Sequence, residues 1–397
     1  MSRAPIVTLR PAVPADRLAL WRWRNDPETR RASFNQAEIP LEDHTRWFEE
    51  SLARPDRRIY VVQAAGVDAG SVRLDLSGDE ATANINLDPE WRGRGIGARA
   101  LRALCREAFE SLGLARLTAR VKADNSASRV AFERAGFQVI NEGDPLILAR
   151  PARLRVVAAI QARMGSTRLP GKVLRPLAGR PMIAWLVERL RAAREPATVA
   201  IATSVESRDD AIAAFAGEAG VACVRGSETD LVSRLLDMAA QMGADTLVRV
   251  TADCPFVDPG VIDRLVRVWR EDGGEADLVV NHTPPSYPHG LDAEVLPVAT
   301  LRRLDAEVAD PYYREWFPFW WRAHPDRYRV LNVPCVRDLS HHRWTVDYAE
   351  DLVFAERVFR TLVPSLGPAF SMDAVLDFLG SNPEVAEINA MHVHGRR

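Results

Sequence analysis

The sequence predicts an α/β protein in two parts: a mixed sheet with helices over residues 1–150, then a doubly wound, mostly parallel sheet over 151–397, with its core at 154–380. Three observations carry that expectation. Between residues 156 and 272, short apolar runs alternate with helix-length segments, the pattern of a parallel sheet covered on both faces. The β-branched run Val156–Ile160 is short enough for one buried strand and ends in a loop rich in cations and glycine, Gln161–Lys172. Earlier in the chain, Trp91–Gly97 sets two arginines among alternate glycines just before a helical stretch.

A chain of 397 residues suggests two domains or three. With 47% hydrophobic and 27% charged residues it builds full-sized cores. A net charge of −2 gives no global field toward nucleic acid or membrane, so any polyanion must be held locally. Cys105, Cys223, Cys254 and Cys335 are widely spaced, which argues against a zinc cluster or disulfide framework and fits a reducing cytoplasm. No signal-peptide h-region and no 18-residue apolar run is visible, so the expected location is cytoplasmic.

In the first part, Ile6–Arg10 alternates like a strand. Pro14–Asp16 opens a helix through Trp21–Arg24, and Leu41–His44 starts another carrying Trp47, Phe48 and Leu52. Ile59–Ala64 and Ala69–Leu76 read as a hairpin and Ala81–Leu87 as a further strand. Next come Arg92, Gly93, Arg94, Gly95 and Gly97, then a helix over Ala98–Leu112. Glycines at alternate positions let successive N–H groups point at one anion, and the helix N-terminus adds about half a positive charge. A Rossmann dinucleotide site uses the same physics but wants an acid about 20 residues on, where this chain has Gly113-Leu114-Ala115. After the strand Leu117–Val121, Asn125 or Ser126 caps a helix that Gly136 ends, and Phe137 begins a last strand; Leu146–Ala149 completes the sheet.

These two signals in this order resemble the GCN5-related N-acetyltransferase (GNAT) family over nearly all of residues 5–150. The resemblance implies an acetyl-CoA pyrophosphate held at Arg92–Gly97 and Asn125 facing the pantetheine arm. The family often has a tyrosine acid where this chain has Phe132, and a phenyl ring donates no proton. Asn84 and Asn86 stand where a carboxylate base would be convenient, which leaves a water relay. Trp23–Pro27, Phe34-Asn35 and His44 look like the branch that acetylates a nucleotide-linked amino-deoxysugar, as in pseudaminic acid synthesis. His44 is then an acceptor contact, or else an ordinary helix-surface histidine.

Arg150–Arg153 is a short, polar, proline-broken linker. Beyond it the strands are Val156–Ile160, Thr198–Thr203, Ala222–Val224 and Thr246–Thr251, and the helices Pro181–Ala193, Asp209–Ala219, Asp230–Met242 and Pro259–Asp272. In the opening loop, Arg163, Gly165, Ser166, Arg168 and Lys172 form an anion cradle at a strand end, where ligands of open α/β sheets bind. Arg225-Gly226-Ser227 and Asp253 follow two further strands. A later strand, Arg343–Asp347, is expected to present Asp347 beside Asp253, so that the two carboxylates hold Mg²⁺ against phosphate oxygens.

Together these residues resemble the sugar cytidylyltransferases of the spore-coat polysaccharide biosynthesis type, related to enzymes that activate acylneuraminate and other nonulosonic acids with CTP, from about Val156 to Phe354. That implies a GT-A-like, Rossmann-like nucleotidyltransferase domain. By that resemblance, Arg163, Ser166, Arg168 and Lys172 would bind the triphosphate, and Asp253 and Asp347 would hold Mg²⁺. The backbone at Ala159–Gln161 with Arg225 and Ser227 would likewise read base and ribose. His289, Asp292 and Glu294 would line the acceptor pocket, and His342 is a further acceptor candidate. The expected substrates are CTP with an acidic sugar of pseudaminic or legionaminic type, and acetyl-CoA with an amino-deoxysugar; flagellin glycosylation is the context in view. The alternative is a glycosyltransferase or other nucleotide-sugar synthetase with a non-catalytic acyl-CoA-binding first domain. Glycosyltransferases of this topology usually carry Asp-x-Asp, whereas this chain reads Ala252-Asp253-Cys254. The expected partners are small-molecule nucleotides and sugars and a second copy of the chain, with no nucleic acid and no membrane. The aromatic run Trp316–Trp321 is a sugar platform, a dimer contact or a helix packed on the core, and Met391–Arg397 is expected to fray.

Overall fold

A computed structural model describes residues 5–392 and divides the chain into two compact units, Met1–Leu154 and Arg155–Arg397. The first unit runs β1 (Val7–Pro11), α1 (Arg17–Asn25), α2 (Pro27–Ala32), α3 (Leu41–Ala53), β2 (Arg57–Ala64), β3 (Val67–Ser77), β4 (Glu80–Leu87), α4 (Ile96–Arg106), β5 (Arg116–Val121), α5 (Ser126–Arg134), β6 (Gln138–Asn141) and β7 (Leu146–Pro151). Its seven strands lie in the order β1-β2-β3-β4-β5-β7-β6. All neighbours are antiparallel except β4 and β5, which pair in parallel only from Glu80↔Arg116 to Thr82↔Thr118. β4 runs on to Leu87 without a β5 partner, so the sheet opens there. The alternation along β3 puts Val72 and Leu74 inward against Leu101 and Leu104 of α4. Trp23 and Phe48, from α1 and α3, cover Val61 on the other face.

The second unit runs β8 (Val156–Gln161), β9 (Pro176–Leu177), β10 (Arg180–Pro181), α6 (Met182–Arg191), β11 (Thr198–Ser204), α7 (Asp210–Glu218), β12 (Ala222–Gly226), α8 (Leu231–Met242), β13 (Thr246–Thr251), α9 (Pro259–Glu271), β14 (Leu278–Val280), β15 (Glu294–Pro297), α10 (Val298–Glu307), α11 (Pro311–Glu315), α12 (Phe317–Ala323), β16 (Val330–Asn332), α13 (Ala349–Leu366), α14 (Met372–Ser381) and α15 (Pro383–Ala386). Its large sheet has the order β12-β11-β8-β13-β15-β14-β16. β8, β11, β12 and β13 are parallel, and β15 runs against both its neighbours. Every residue of β8 from Val156 to Ile160 is buried, as expected of a central strand covered on both faces. α8 and α12 pack one face through Leu235, Met238, Phe317 and Trp321. Phe256, Phe354, Phe359 and Phe370 form an aromatic cluster elsewhere in the unit, with ring centroids 5.1–6.4 Å apart.

Two local expectations change, and one of the alternatives for the aromatic run is selected. Arg343–Asp347 is not a strand; it is an extended segment with one isolated bridge, Arg343 to His289. The aromatic run packs on the core through Phe317 and Trp321, while Trp316 and Phe319 stay exposed. Met391 and His392 lie in a final helical turn, with the His392 ring stacked 3.9 Å from Tyr348; the remainder of that tail lies outside the described residues.

Candidate active sites

In the second unit the cationic loop folds around Met164. Its N–H donates to Asp209 Oδ1 at 2.7 Å, and its carbonyl accepts from Ser166 N–H (2.9 Å) and Gly171 N–H (3.3 Å). Ser166 Oγ accepts from Leu169 N–H at 3.2 Å, and Gly171 takes the left-handed conformation (φ 66°) that favours glycine. Asp209 is fully buried, and its second oxygen accepts the Ser204 hydroxyl from the end of β11. One buried carboxylate thus fastens the loop to the sheet. The sequence shows Asp209 only as a helix start, so its part in the site is invisible before folding.

The loop delivers Lys172 to the middle of the site. Its Nζ donates to Asp253 Oδ2 and to Asp347 Oδ1, each at 2.8 Å. Asp253 is placed by β13, which ends two residues before it. Asp347 is placed by hydrogen bonds rather than by a ladder. Val346 N–H donates to the Asp253 carbonyl at 2.8 Å, and Thr345 Oγ1 to the same oxygen at 3.2 Å. Asp347 Oδ2 accepts from Arg343 at 2.9 Å, and Arg168 lies 3.4 Å from Oδ1 with its guanidinium over the Tyr348 ring. Beneath them Asp351 is fully buried. It accepts from Arg343 Nε and Nη2 (both 3.0 Å), from the N–H groups of Asp347 (2.9 Å) and Tyr348 (3.0 Å), and from Asn389 (2.8 Å).

The electrostatics follow from this crowding. Burial opposes the Lys172 ammonium, yet Asp253 and Asp347 outweigh it and hold its pKa above the ordinary lysine value. Burial alone would raise Asp253; Lys172 reverses that and holds it at about 2. Asp351 is likewise kept low: burial is overcome by Arg343 and by the N–H of Asp347. Asp253 therefore stays ionised, and the carboxylates of Asp253 and Asp347 converge on one point, the Lys172 ammonium. Hard oxygens arranged so fit Mg²⁺, which needs only one or two protein carboxylates and completes its shell with water and phosphate. Among the described residues no group of three or more His, Cys, Asp or Glu is placed to hold a metal. Asp351→Asn keeps the shape but removes the charge that neutralises Arg343. We expect it to lower turnover at this centre about tenfold with a smaller loss of thermal stability, measured by the nucleotidyl transfer that the resemblance implies and by calorimetry; unchanged turnover would contradict the supporting part assigned to it.

Other expected contacts fall elsewhere. Arg163 reaches away from the carboxylates to Glu315 (2.5 Å) and the Glu228 carbonyl (3.0 Å). Arg225 binds the carbonyls of Ser204 and Glu206 and the carboxylate of Asp210, so its side chain braces β11 and is not free to read a base. The Ser227 carbonyl accepts from the fully buried Arg234. Ala159 is buried in mid-strand, paired with Ala200 and Arg249, and belongs to the core rather than to a surface. Gln161, at the strand end, accepts from Arg249 Nε at 2.9 Å. Gly165 lies in the loop near Arg208. Glu294 is buried and already satisfied by Arg249 (2.8 Å) and His282 (3.3 Å); despite burial, Arg249 and His282 hold it at about 2. It is a structural ion pair. His289 and Asp292 stand 3.6 Å apart beside Arg343. His342 is driven down to about 4 by burial and by His341, and its carbonyl accepts His289 N–H at 3.0 Å.

In the first unit, Gly93 (φ 72°) and Gly95 (φ 74°) turn the chain into α4, with Gly95 as the residue before its first turn. The first N–H groups of a helix have no acceptor within it. At Gly97 a Cβ would stand 3.5 Å from Ala131 and 3.6 Å from Leu87, so α4, α5 and β4 pack closely there. Arg92 is committed elsewhere: it binds Asp26 and Glu28 (both 2.7 Å), Thr29 (2.7 Å) and the Leu87 carbonyl (3.1 Å), tying α2 to the loop. Arg94 lies over the Trp91 ring. Asn125 caps α5 by accepting from Ser128 N–H at 3.0 Å. Phe132 is buried edge-on against Phe137. A cleft of about 540 Å³ opens between Trp21, Asn25, Asp26 and Asp88, with Trp23 Nε1 donating to Asp88 at 2.7 Å.

His44 is neither on a helix surface nor open to solvent. It is 3% exposed, packed against Trp47 and Phe48, and its Nδ1 has no hydrogen-bond partner. Burial, with Arg24 adding to it, lowers its pKa to about 4. A lowered histidine pKa means the unfolded chain takes up the proton first. The stabilising contribution is therefore complete above about pH 6.5 and is lost as pH falls toward 4. At pH 5 the loss is on the order of 2 kcal/mol. His44→Gln should remove that part of the acid sensitivity in paired melts at pH 7 and pH 5; an unchanged difference would contradict it.

The arrangement matches known proteins on both units. Residues 157–295 match the cytidylyltransferase family model, and residues 7–138 that of the acetyltransferase (GNAT) domain. The spore coat polysaccharide biosynthesis protein SpsF of Bacillus subtilis is 30% identical over 238 residues, 58% of this chain and 96% of its own length. A 3-deoxy-manno-octulosonate cytidylyltransferase of Anaeromyxobacter is 38% identical over 157 residues, 38% of this chain and 61% of its own. Among solved structures, a cytidylyltransferase from Leptospira borgpetersenii shares 30% identity with a TM-score of 0.56, covering 59% of this chain and 97% of that one.

Proposed function

We infer from one premise, that the chain belongs to the cytidylyltransferase family and carries a GNAT acetyltransferase domain ahead of it, that it is a bifunctional enzyme of acidic-sugar biosynthesis. The second unit transfers CMP from CTP to an acidic sugar. An acceptor hydroxyl oxygen bonds to the α-phosphorus, the bond from that phosphorus to the bridging oxygen breaks, the hydroxyl loses its proton, and pyrophosphate leaves. The observation that carries this reading is Lys172 bridging Asp253 and Asp347 at the mouth of the parallel strands. Asp253 and Asp347 would hold Mg²⁺, which when bound neutralises charge on the triphosphate. Lys172 and Arg168 lie where negative charge builds on the departing pyrophosphate, so they stabilise the transition state more than the ground state. His289, Asp292 and His342 border the acceptor side; Glu294 acts through Arg249.

The first unit transfers acetyl from acetyl-CoA to an amino group of a sugar. The open sheet beside β4 and the left-handed turn Gly93–Gly95 into α4 support a pyrophosphate cradle built from backbone N–H groups, with Arg94, which lies over the Trp91 ring, as its cation and Arg92 as its brace. The cleft lined by Trp21, Arg22, Asn25, Asp26 and Asp88 mixes aromatic, cationic and acidic groups and is the candidate place for the sugar acceptor. Nonulosonic acids of pseudaminic or legionaminic type are the proposed acceptors of CMP, and the protein is proposed to act as a homodimer, which light scattering checks. Two assays test the reading: thiol release from acetyl-CoA with amino-deoxysugars, free and nucleotide-linked, and CMP-sugar formation with a panel of acidic sugars. Acetyl transfer to none of the amines, or CMP transfer equally good with neutral sugars, would sink the corresponding half.

A further inference from the structure

The Lys172 ammonium sits 2.8 Å from a carboxylate oxygen on each of Asp253 and Asp347. That is the point on which both carboxylates converge. A Mg²⁺ ion binds oxygen at about 2.0–2.1 Å, so it would take the same point and stand against a full positive charge. The two cations cannot share it. The surroundings sharpen the conflict. Arg343 donates to Asp347 at 2.9 Å and Arg168 lies 3.4 Å away, so three cationic side chains already face two carboxylates. Asp351 offsets Arg343 from beneath. Without a further anion there is no electrostatic deficit for a divalent ion to fill.

We propose that Lys172 is the resident cation of this centre and exchanges places with the metal. The metal enters only with the nucleotide's triphosphate, and the ammonium moves off the carboxylate pair onto the phosphate oxygens. This rests on the reading of Asp253 and Asp347 as the metal carboxylates and adds an order of events to it. Lys172 is suited to the exchange. Its side chain is flexible and carries a compact point charge that can bind either a carboxylate or a phosphate, and it extends from a glycine-bounded turn at Gly171 rather than from a rigid strand. The carboxylates are fixed: Asp347 by Arg343 and Asp351, Asp253 by the end of β13.

The test measures Mn²⁺ binding to the full chain by electron paramagnetic resonance, without nucleotide. Wild type should bind weakly, and Lys172→Gln and Lys172→Met about tenfold or more tightly, because the competing charge is gone while the carboxylates remain. Lys172→Arg keeps the charge and should not gain affinity. Asp253→Asn serves as the reference. If it loses Mn²⁺ while the neutral Lys172 variants bind no better than wild type, the exchange is overturned and the metal assignment stands. If Asp253→Asn binds as well as a neutral Lys172 variant, the metal assignment fails and the exchange with it. Should the neutral variants not fold, the wild-type protein with Mn²⁺ and a non-hydrolysable CTP analogue decides crystallographically. Nζ is expected beyond hydrogen-bond distance of at least one of the two carboxylates; Nζ still bridging both beside a bound metal would overturn the proposal.

Discussion

Lys172→Ala is expected to lower turnover of CMP transfer by about a hundredfold or more and to lower thermal stability as well. The first effect follows from charge: a cation within reach of the departing pyrophosphate is worth most when that group leaves. The second follows from the geometry. Lys172 is 9% exposed and its ammonium bridges two carboxylates. Deleting it leaves Asp253 and Asp347 facing each other half-buried, and breaking such a pair costs about 3–5 kcal/mol when the site is dry. The site opens to water on one side, with the Asp253 side chain 26% exposed, so the loss is expected below that range. Raising Mg²⁺ should return part of the stability and little of the activity. Calorimetry with and without Mg²⁺, beside pyrophosphate release, reads both; a variant with wild-type turnover would contradict the catalytic part assigned to Lys172.

Gly290→Ala is expected to be the most damaging single methyl in the second unit. Gly290 has φ 112°, outside the range side chains readily adopt, and a Cβ there would meet Thr345 N at 2.5 Å, Trp344 C at 2.6 Å and Trp344 O at 2.8 Å. All three are backbone atoms and cannot swing aside. The segment they belong to is the one that carries Asp347. The methyl should therefore push Arg343–Asp347 off the end of β13, costing at least about 3 kcal/mol and most of the activity. Denaturant unfolding and pyrophosphate release measure the two losses; stability within about 0.5 kcal/mol of wild type would contradict the close approach. Gly93→Ala, at a left-handed turn with open space around it, should cost less stability than Gly290→Ala.

Much of this was legible because it is local. The Val156–Ile160 run reads as a central strand, and the cations that follow can only lie at its mouth. Asp253 was legible for the same reason, since an acid directly after an apolar strand has one place to be. Asp347 was legible as a residue and misread as structure. Arg343–Asp347 carries a strand's composition, but Val346 bonds to the Asp253 carbonyl and Asp347 to the Asp351 carboxylate, neither of which forms a ladder. Arg92 shows the limit from the other side. An arginine just ahead of two glycines that lead into a helix has the composition of a phosphate ligand. What binds it are Asp26 and Glu28, 66 and 64 residues away, and no local pattern reports them. Asp209, Asp351 and Glu315 were missed for that same reason: each acts on a partner distant in sequence or on a backbone N–H, and alone each is an ordinary helix acid. His44 was undecided because whether a helix histidine faces core or water depends on what packs over it, here Phe48 and Trp47.

The central claim is that Lys172, Asp253 and Asp347 form a nucleotidyl-transfer centre that uses CTP. Pyrophosphate release from each of CTP, UTP, ATP and GTP, with a nonulosonic acid as acceptor, tests it for wild type and for Asp253→Asn. The account predicts release with CTP that depends on both Mg²⁺ and the acidic sugar and falls at least about a hundredfold in the variant. Release that is indifferent to the nucleotide or the acid sugar, or that survives in Asp253→Asn, would contradict it.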